Sequence, residues 1–178
     1  MPHFEKTLGS KEIFNGKIIR VCHDTVELEN GETALREVVY HSGGVCVLPI
    51  DENGNVYFVR QFRYPYKEEI LELPAGKLEK GEDPFESGKR ELLEEIGATA
   101  QKYTDLGKLY PSPGYCGEII SMYLAENLSF GSQSLDEDEF LSVEKIPFDH
   151  AVKMVLSNEI KDAKTQAALL KAHILLKK

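Results

Sequence analysis

Residues 76–98 read GKLEKGEDPFESGKRELLEEIGA, a segment with signals for both ends of a helix. Asp83 suits the N-cap of a helix, Pro84 suits its first turn, and Glu86 stands where a capping box has its carboxylate. Gly97 suits the position just past a helix C-terminus, because glycine tolerates the left-handed conformation found there. The stretch therefore predicts one helix that begins after Asp83 and ends just before Gly97.

Three carboxylates of this predicted helix lie on one face. Glu91, Glu94 and Glu95 have the spacing i, i+3 and i+4, which brings side chains together on a helix surface. A divalent cation that accepts hard oxygen ligands would relieve their mutual repulsion, and Mg²⁺ is the expected ion. The alternative is a solvated face, because Glu and Lys are common on exposed helices.

The whole stretch resembles the Nudix box at every defining position. That pattern is Gly, five residues, Glu, seven residues, then Arg-Glu-apolar-any-Glu-Glu-any-Gly-apolar. The fixed identities here are Gly76, Glu82, Arg90, Glu91, Glu94, Glu95 and Gly97. If each residue type has a frequency of about 5–7%, such a set arises by chance about once in 10⁸ to 10⁹ starting positions. The resemblance therefore favours a catalytic helix over a solvated one.

Hydrophobic patterns and turn signals outside the box predict strands and two further helices. Asn30-Gly31 tolerates the positive φ angles of a tight turn and predicts a hairpin over residues 17–40. The other predicted strands are 45–50 and 56–62, which we expect to pair, and 70–73, 106–110, 119–125 and 140–146. Apolar residues at helical spacing predict one helix after Pro147 and another over residues 163–176.

This order of elements, together with a resemblance that covers about residues 17–161, implies an α/β protein with the Nudix fold. In that fold a mixed β-sheet is sandwiched between helices, and here an N-terminal β-hairpin extension precedes it. We expect residues 1–42 to form the hairpin region, which serves dimerisation and the substrate pocket. Residues 43–178 are expected to form the Nudix catalytic domain.

The resemblance implies a metal site for Mg²⁺, with Mn²⁺ as an alternative ion. Its leading ligands would be the backbone carbonyl of Ala75 and the carboxylates of Glu91 and Glu95. Glu94 would be a fourth ligand. Glu118, which follows the Ser-Pro-Gly turn, would be a further metal or water contact.

Two further roles concern the chemistry at this site. Arg90 is expected to hold Glu94 or Glu82 in place rather than to act as a catalyst itself. Relatives carry a mobile glutamate as general base in a loop after the last long strand, and the acidic Leu-Asp-Glu-Asp-Glu follows that strand here. Glu139 and Glu137 are the candidates, and Glu94 is next. A solvated acidic loop is the alternative.

Pro113 lies sixteen residues after Gly97, and a proline at that place resembles the marker of the ADP-ribose pyrophosphatase subgroup. The alternative is a rigid turn, which proline and glycine provide for conformational reasons alone. The adjacent Tyr115 resembles instead the tyrosine that marks dinucleoside polyphosphate hydrolases. Ser112, Pro113 and Gly114 are the candidate substrate contacts in this turn.

Arg63 ends a Val-Arg-Gln-Phe-Arg segment similar to one in ADP-ribose and nucleotide-sugar enzymes, and its planar fork of donors would bind a phosphate. An ordinary surface arginine is the alternative. In the same subgroup the N-terminal hairpin packs against a second subunit and completes the nucleotide pocket, which implies a homodimer. Arg36 and Glu37 match positions that contact the base or terminal sugar, although a charged, exposed strand edge explains them equally well.

The composition limits the partners. A formal net charge of -9 argues against a nucleic-acid partner, because duplex binders usually carry a basic patch. No run approaches the roughly 20 apolar residues that a membrane helix needs, and MPHFEKTLGSKEIF lacks the apolar stretch of a signal peptide. Cys22, Cys46 and Cys116 have no metal-ligand spacing and suit a reducing cytoplasm.

The expected function is Mg²⁺-dependent hydrolysis of the diphosphate bond of ADP-ribose or a nucleoside diphosphate sugar. The products would be a nucleoside monophosphate and a sugar phosphate. Mg²⁺ would neutralise the diphosphate, position it and acidify a bound water. Two alternatives stay open: a broad-specificity enzyme for sugars such as GDP-mannose and ADP-glucose, and a non-catalytic nucleotide-binding Nudix module. The intact Glu91-Leu-Leu-Glu94-Glu95 favours an enzyme.

Overall fold

The computed structural model describes residues 3–135 and 139–177. In chain order the elements are β1 (Lys6–Asn15), β2 (Ile19–Glu27), β3 (Thr33–His41), β4 (Gly44–Pro49), β5 (Asn55–Arg63), β6 (Glu68–Glu72), β7 (Ala75–Lys77), α1 (Pro84–Ile96), β8 (Ala98–Leu109), β9 (Ile120–Phe130), β10 (Leu141–Pro147), α2 (Phe148–Leu156) and α3 (Ala163–Leu176). Among the described residues, no helix is long and apolar enough to cross a membrane. The chain divides into two compact units.

The first unit comprises Met1–Gly43 and Tyr110–Ile119. Its sheet has the order β1-β2-β3, and both pairs of strands are antiparallel. The predicted hairpin is β2 and β3, and its turn closes where Gly31 donates its N–H to the carbonyl of Leu28 at 2.9 Å. Strand β1 was not predicted. All ten of its residues are exposed, so no alternation of apolar and polar residues marks it as a strand.

The second unit comprises Gly44–Leu109 and Ile120–Lys178 and contains two sheets. One is antiparallel with the order β10-β5-β6, and the other is mixed with the order β7-β4-β9-β8. Strands β4 and β9 run parallel, and the other pairs are antiparallel. The expected pairing of residues 45–50 with 56–62 is wrong, because β4 and β5 lie in different sheets and only an isolated bridge joins Ile50 to Val56.

Strand β4 explains how helices come to lie on both sides of the mixed sheet. All six of its residues are buried, and their side chains alternate between two apolar clusters. Cys46 and Leu48 pack in a cluster with residues of α2 and α3. Val45 and Val47 pack in the other cluster, with residues of α1. The expected mixed sheet between helices is therefore confirmed.

Helix α1 begins and ends at the predicted residues. The side chain of Asp83 accepts the N–H groups of Phe85 and Glu86, and Gly97 adopts the left-handed conformation with φ of 66°. The capping-box expectation is wrong in one part. The carboxylate of Glu86 pairs with Lys89 rather than turning back to the helix start. The local signals of the box still fix both ends of the helix.

Candidate active site

Helix α1 turns Glu91 and Glu95 towards the protein interior. Their exposed fractions are 7% and 2%. The helix lies close to β4 because Gly88 has no side chain, and a Cβ at this position would be 3.0 Å from Val45 Cγ2. The i, i+4 spacing then buries both carboxylates on the inner face of the helix.

Strand β7 supplies the backbone that meets both carboxylates. Ala75 donates its N–H to Glu95 Oε2 at 3.0 Å. A Cβ at Gly76 would lie 1.9 Å from Glu91 Oε1, so the carboxylate occupies the space that any side chain would need. A side chain at the first glycine of the box would therefore displace the Glu91 carboxylate from its present position.

Burial is the main reason that these two carboxylates resist ionisation. It raises the pKa of Glu91 to about 7 and the pKa of Glu95 to about 8. Arg90 opposes the shift at Glu91, the N–H of Ala75 opposes it at Glu95, and the negative charge of Glu139 adds to both. When both are ionised, the charge of Glu91 acts against that of Glu95, and a bound cation would relieve this repulsion.

Arg90 joins three carboxylates around the helix. Its Nε lies 3.0 Å from Glu82 Oε1, its Nη1 lies 2.7 Å from Glu94 Oε2, and its Nη2 lies 2.9 Å from Glu91 Oε1. It thus contacts both of the glutamates that it was expected to hold, and Glu91 as well. Glu94 is half-buried, and its carboxylate forms an ion pair with Arg90.

The loop after β9 is attached to the end of α1. Ser134 donates its N–H to the carbonyl of Glu94 at 3.0 Å. Glu139 is the first residue of the second described range. It is half-buried, and its negative charge acts to raise the pKa of both buried glutamates. Of the two candidate bases, Glu139 is therefore near the carboxylate pair, whereas Glu137 lies outside the described residues.

Arg63 is held by a buried carboxylate that the sequence analysis did not single out. Its Nε and Nη2 donate to the two oxygens of Glu72 at 2.6 and 2.7 Å. Glu72 is 2% exposed. The available signal was its place between two leucines in the predicted strand 70–73, since a glutamate buried there needs a charged partner.

Two candidates on β3 have partners within the first unit. Arg36 forms a two-pronged ion pair with Glu5 of β1. Glu37 is exposed and lies 3.7 Å from the His23 ring. Their roles in substrate binding stay predictions.

The turn over residues 110–119 also lies in the first unit. The carbonyl of Ser112 accepts the N–H of Cys116 at 3.0 Å, which closes the Ser-Pro-Gly turn. Val39 of β3 exchanges backbone hydrogen bonds with Tyr115 and with the residue at position 117. Glu118 lies 3.5 Å from the His41 ring nitrogen, so its described partner is a histidine. The roles of Ser112, Pro113, Gly114 and Glu118 stay predictions.

The donor set of Glu91 and Glu95 fits a hard divalent cation. Two adjacent carboxylates lie buried there and keep raised pKa values, although Arg90 contacts Glu91. Within residues 3–135 and 139–177, no three His, Cys, Asp or Glu side chains form a ready-made metal-binding group. Carboxylate oxygens are the ligands that hard divalent cations prefer.

Two family models match the chain. The NUDIX domain matches residues 40–170, and the nucleoside diphosphate sugar hydrolase N-terminal domain matches residues 5–39. The first match covers the box, the loop after β9, helix α2 and the first part of α3. The second covers β1, β2 and most of β3.

Curated relatives match over nearly the whole chain. An ADP-ribose pyrophosphatase of Bacillus subtilis is 46% identical, over 93% of this chain and 90% of its own. A methanol dehydrogenase activator of Bacillus methanolicus is 41% identical over the same shares. A GDP-mannose pyrophosphatase of Yersinia enterocolitica is 32% identical, over 89% of this chain and 88% of its own.

A solved structure described as an ADP compounds hydrolase has the same fold. It superimposes with a TM-score of 0.85, covering 97% of this chain and 94% of that one, at 24% identity. The assignment of this chain to a family rests on the matched NUDIX domain and on the relatives with more than 30% identity. The chain therefore belongs to the Nudix family, and it is a Nudix pyrophosphohydrolase.

Proposed function

We propose that the protein hydrolyses the diphosphate bond of ADP-ribose or of a nucleoside diphosphate sugar in a Mg²⁺-dependent reaction. A nucleoside monophosphate and a sugar phosphate are the products. The observation that carries the proposal is the buried pair Glu91 and Glu95, held against β7 with raised pKa values. The names of the ADP-ribose and GDP-mannose pyrophosphatase relatives support this substrate class.

Glu91, Glu95 and the carbonyl of Ala75 would hold Mg²⁺, or Mn²⁺ in its place, with Glu94 and Glu118 as additional ligands. The bound ion would neutralise charge on the diphosphate and lower the pKa of the attacking water. Arg90 would keep the glutamates in position, through the ion pairs described above.

The remaining steps belong to side chains around that centre. Arg63 would bind a phosphate of the diphosphate. Glu139, or Glu137, would accept a proton from the attacking water while the water oxygen forms a bond to phosphorus. The bridging phosphorus–oxygen bond then breaks, and the leaving phosphate keeps the bridging oxygen. The effect of Glu139 on both buried glutamates supports its assignment as a base.

Substrate selection would come from the first unit. Arg36 and Glu37 would contact the base or the terminal sugar, and Ser112, Pro113 and Gly114 would border the same pocket. In a homodimer the hairpin would serve the active site of the partner subunit. We place this activity in the cytoplasm, because the three cysteines form no disulfide among the described residues.

A substrate panel tests the proposal. Purified protein with Mg²⁺ should release AMP from ADP-ribose, or the corresponding monophosphate from GDP-mannose or ADP-glucose, and EDTA should abolish the release. Diadenosine polyphosphates and nucleoside triphosphates should turn over more slowly. Faster turnover of either would exclude the proposed substrate class. Binding of the nucleotides without any product would support the non-catalytic alternative instead.

A further inference from the structure

Arg63 belongs to a cluster of four charged side chains. Arg63 pairs with Glu72, Glu72 pairs with Lys164 Nζ, and Lys164 lies 3.0 Å from Asp162 Oδ1. The side chains of Glu72 and Lys164 are only 3% and 12% exposed. Two positive and two negative charges balance each other, which is what a buried ionic cluster requires.

Arg63 stands at the outer end of this cluster. Only Nε and Nη2 donate to Glu72, so three of the five guanidinium N–H groups point elsewhere. No second acceptor for Arg63 occurs within the described ranges 3–135 and 139–177. Its side chain is 38% exposed, and its charge acts against the upward shift of the Glu95 pKa. The guanidinium is thus fixed on one edge and open on the other.

Lys164 keeps Glu72 charged. Burial by itself would raise the pKa of Glu72, but the hydrogen bond from Arg63 and the charge of Lys164 outweigh it and lower the pKa. Burial would likewise lower the pKa of Lys164, but Asp162 and Glu72 raise it. Each group thus keeps its partner ionised, so Arg63 faces a full carboxylate charge at neutral pH.

The start of α3 holds this cluster against β6. Asp162 caps the helix by accepting the N–H of Thr165 at 2.9 Å, and Thr165 Oγ1 accepts the N–H of Leu73 at 2.9 Å. The chain continues from Leu73 through one proline to Ala75, whose N–H donates to the carboxylate of Glu95. One backbone segment therefore connects the anchor of Arg63 with the carboxylate site.

We propose that Glu72 and Lys164 are positioning residues: Glu72 fixes the guanidinium of Arg63 so that its open edge meets the substrate diphosphate, and Lys164 holds Glu72 in place. This rests on the proposed function, because it assigns Arg63 to the phosphate. A guanidinium oriented before binding loses less rotational freedom when the substrate arrives, so the gain belongs to substrate affinity.

The test compares two double variants that keep the net charge, each of which removes one ion pair between β6 and the region around the start of α3. E72Q/K164M removes the anchor and keeps the net charge, and the two groups that lose a charged partner, Arg63 and Asp162, are both partly exposed, at 38% and 17%. E68Q/K161M removes the exposed ion pair between Lys161 and Glu68, whose contact distance is 3.1 Å, and is the matched control. We expect E72Q/K164M to raise KM about tenfold with a smaller change in kcat, and the control to leave both unchanged.

A combined variant separates positioning from general stability. Adding R63A to E72Q/K164M should raise KM by a smaller factor than R63A does in the wild type, because the anchor acts only through Arg63. A purely structural role predicts additive losses, and additivity in KM would overturn the proposal. So would a wild-type KM in a folded E72Q/K164M variant, checked by circular dichroism.

Titration of ADP into the metal-free proteins makes the outcome independent of turnover. Arg63-dependent binding that weakens in E72Q/K164M supports positioning, even if the wild type hydrolyses no substrate of the panel and the proposed function fails. ADP affinity that is the same in wild type, R63A and E72Q/K164M overturns it.

Discussion

At the scale of single residues, glutamates of one helix differ according to their surroundings. Glu91 and Glu95 are buried against β7, whereas Glu86 is exposed and pairs with Lys89 in the same helix. Helical spacing predicted that Glu91, Glu94 and Glu95 share one face, and in the structure two of them are buried, whereas Glu94 is half-buried. How deeply they are buried depends on β7 and Gly88, and the sequence does not reveal that depth.

The first prediction follows from this difference. E91Q and E95Q should each lower kcat by at least about 10²-fold while the protein stays folded, because each removes a charge from the metal site and keeps the side-chain shape. The control E86Q should have wild-type kcat. Steady-state kinetics with saturating Mg²⁺ and a thermal melt provide the measurement. Near-normal turnover in either buried-site variant would remove that residue from the catalytic machinery.

The anchor of Arg63 marks the limit of prediction at this scale. The resemblance indicated that Arg63 binds phosphate, but it gave no reason to connect Arg63 with Glu72, nine positions further along the chain. In the β5–β6 register Arg63 is opposite Glu68, so strand pairing would have suggested the wrong partner. Lys164 comes from a helix 92 positions beyond Glu72. Such long-range ion pairs depend on packing that local patterns do not encode.

Among the connecting elements, the turn between β4 and β5 is organised by Asp51. Its carboxylate accepts the N–H groups of Asn53 and Asn55 at 3.0 and 2.9 Å and lies 2.6 Å from Lys145 Nζ. Burial works against ionisation of Asp51, but these hydrogen bonds outweigh it and lower the pKa to about 2.

The second prediction concerns acid stability. The ordinary pKa of the group is 3.8, so between about pH 2 and 4 the unfolded chain binds more protons at Asp51 than the folded one. The stabilisation is complete above this window and lost as the pH falls through it. D51N should therefore destabilise by about 1–2 kcal/mol at neutral pH, and the difference from wild type should shrink towards pH 2.

Urea unfolding at several pH values measures this difference, and E52Q, at an exposed neighbour, is the control. A D51N deficit that stays constant from pH 7 to pH 2 would show that the charge of Asp51 contributes nothing to stability.

The loop after β9 is the second element with a testable role. E139Q should lower kcat by about 10²–10⁴-fold and change KM little, because loss of a general base affects the chemical step rather than binding. E144Q, on the adjoining strand β10, should retain normal kcat. If E139Q, E137Q and their double variant all keep wild-type kcat, the base lies elsewhere and Glu94 becomes the next candidate.

Elements were predictable where their signals are local. Helix α1 was predicted at both ends, because its cap residues and glycine act within a few positions. The expected pairing of β4 with β5 failed since strand neighbours are chosen by long-range packing: β4 runs parallel to β9, more than 70 positions later by the register Gly44 to Ile120. Strand β1 escaped prediction because it buries no residue.

At the scale of the whole molecule, the first unit leaves apolar side chains in solvent. Phe4, Leu8, Ile13 and Phe14 are 68%, 48%, 47% and 54% exposed, and three of them lie on β1. A strand that buries nothing within its own chain and carries exposed apolar residues favours an intersubunit contact. The sequence alone suggested a dimer only through the family resemblance, because β1 itself was not predicted.

The last prediction is a homodimer whose pocket combines the hairpin of one subunit with the catalytic residues of the other. Light scattering should give the mass of a dimer at micromolar concentration. L8D/F14D should shift it to a monomer, because two buried charges would oppose association. L156D carries an equally disruptive change on α2, where Leu156 is 76% exposed, and should remain a dimer.

Mixed dimers then test whether the pocket is shared. Variants R36A and E91Q should each be inactive or nearly so. If the hairpin serves the partner, a refolded equimolar mixture contains heterodimers in which one site has both wild-type parts, and about a quarter of wild-type activity returns. If each chain uses its own hairpin, every site in the mixture has one damaged part and no activity returns. A fully active monomer would likewise rule out the shared pocket.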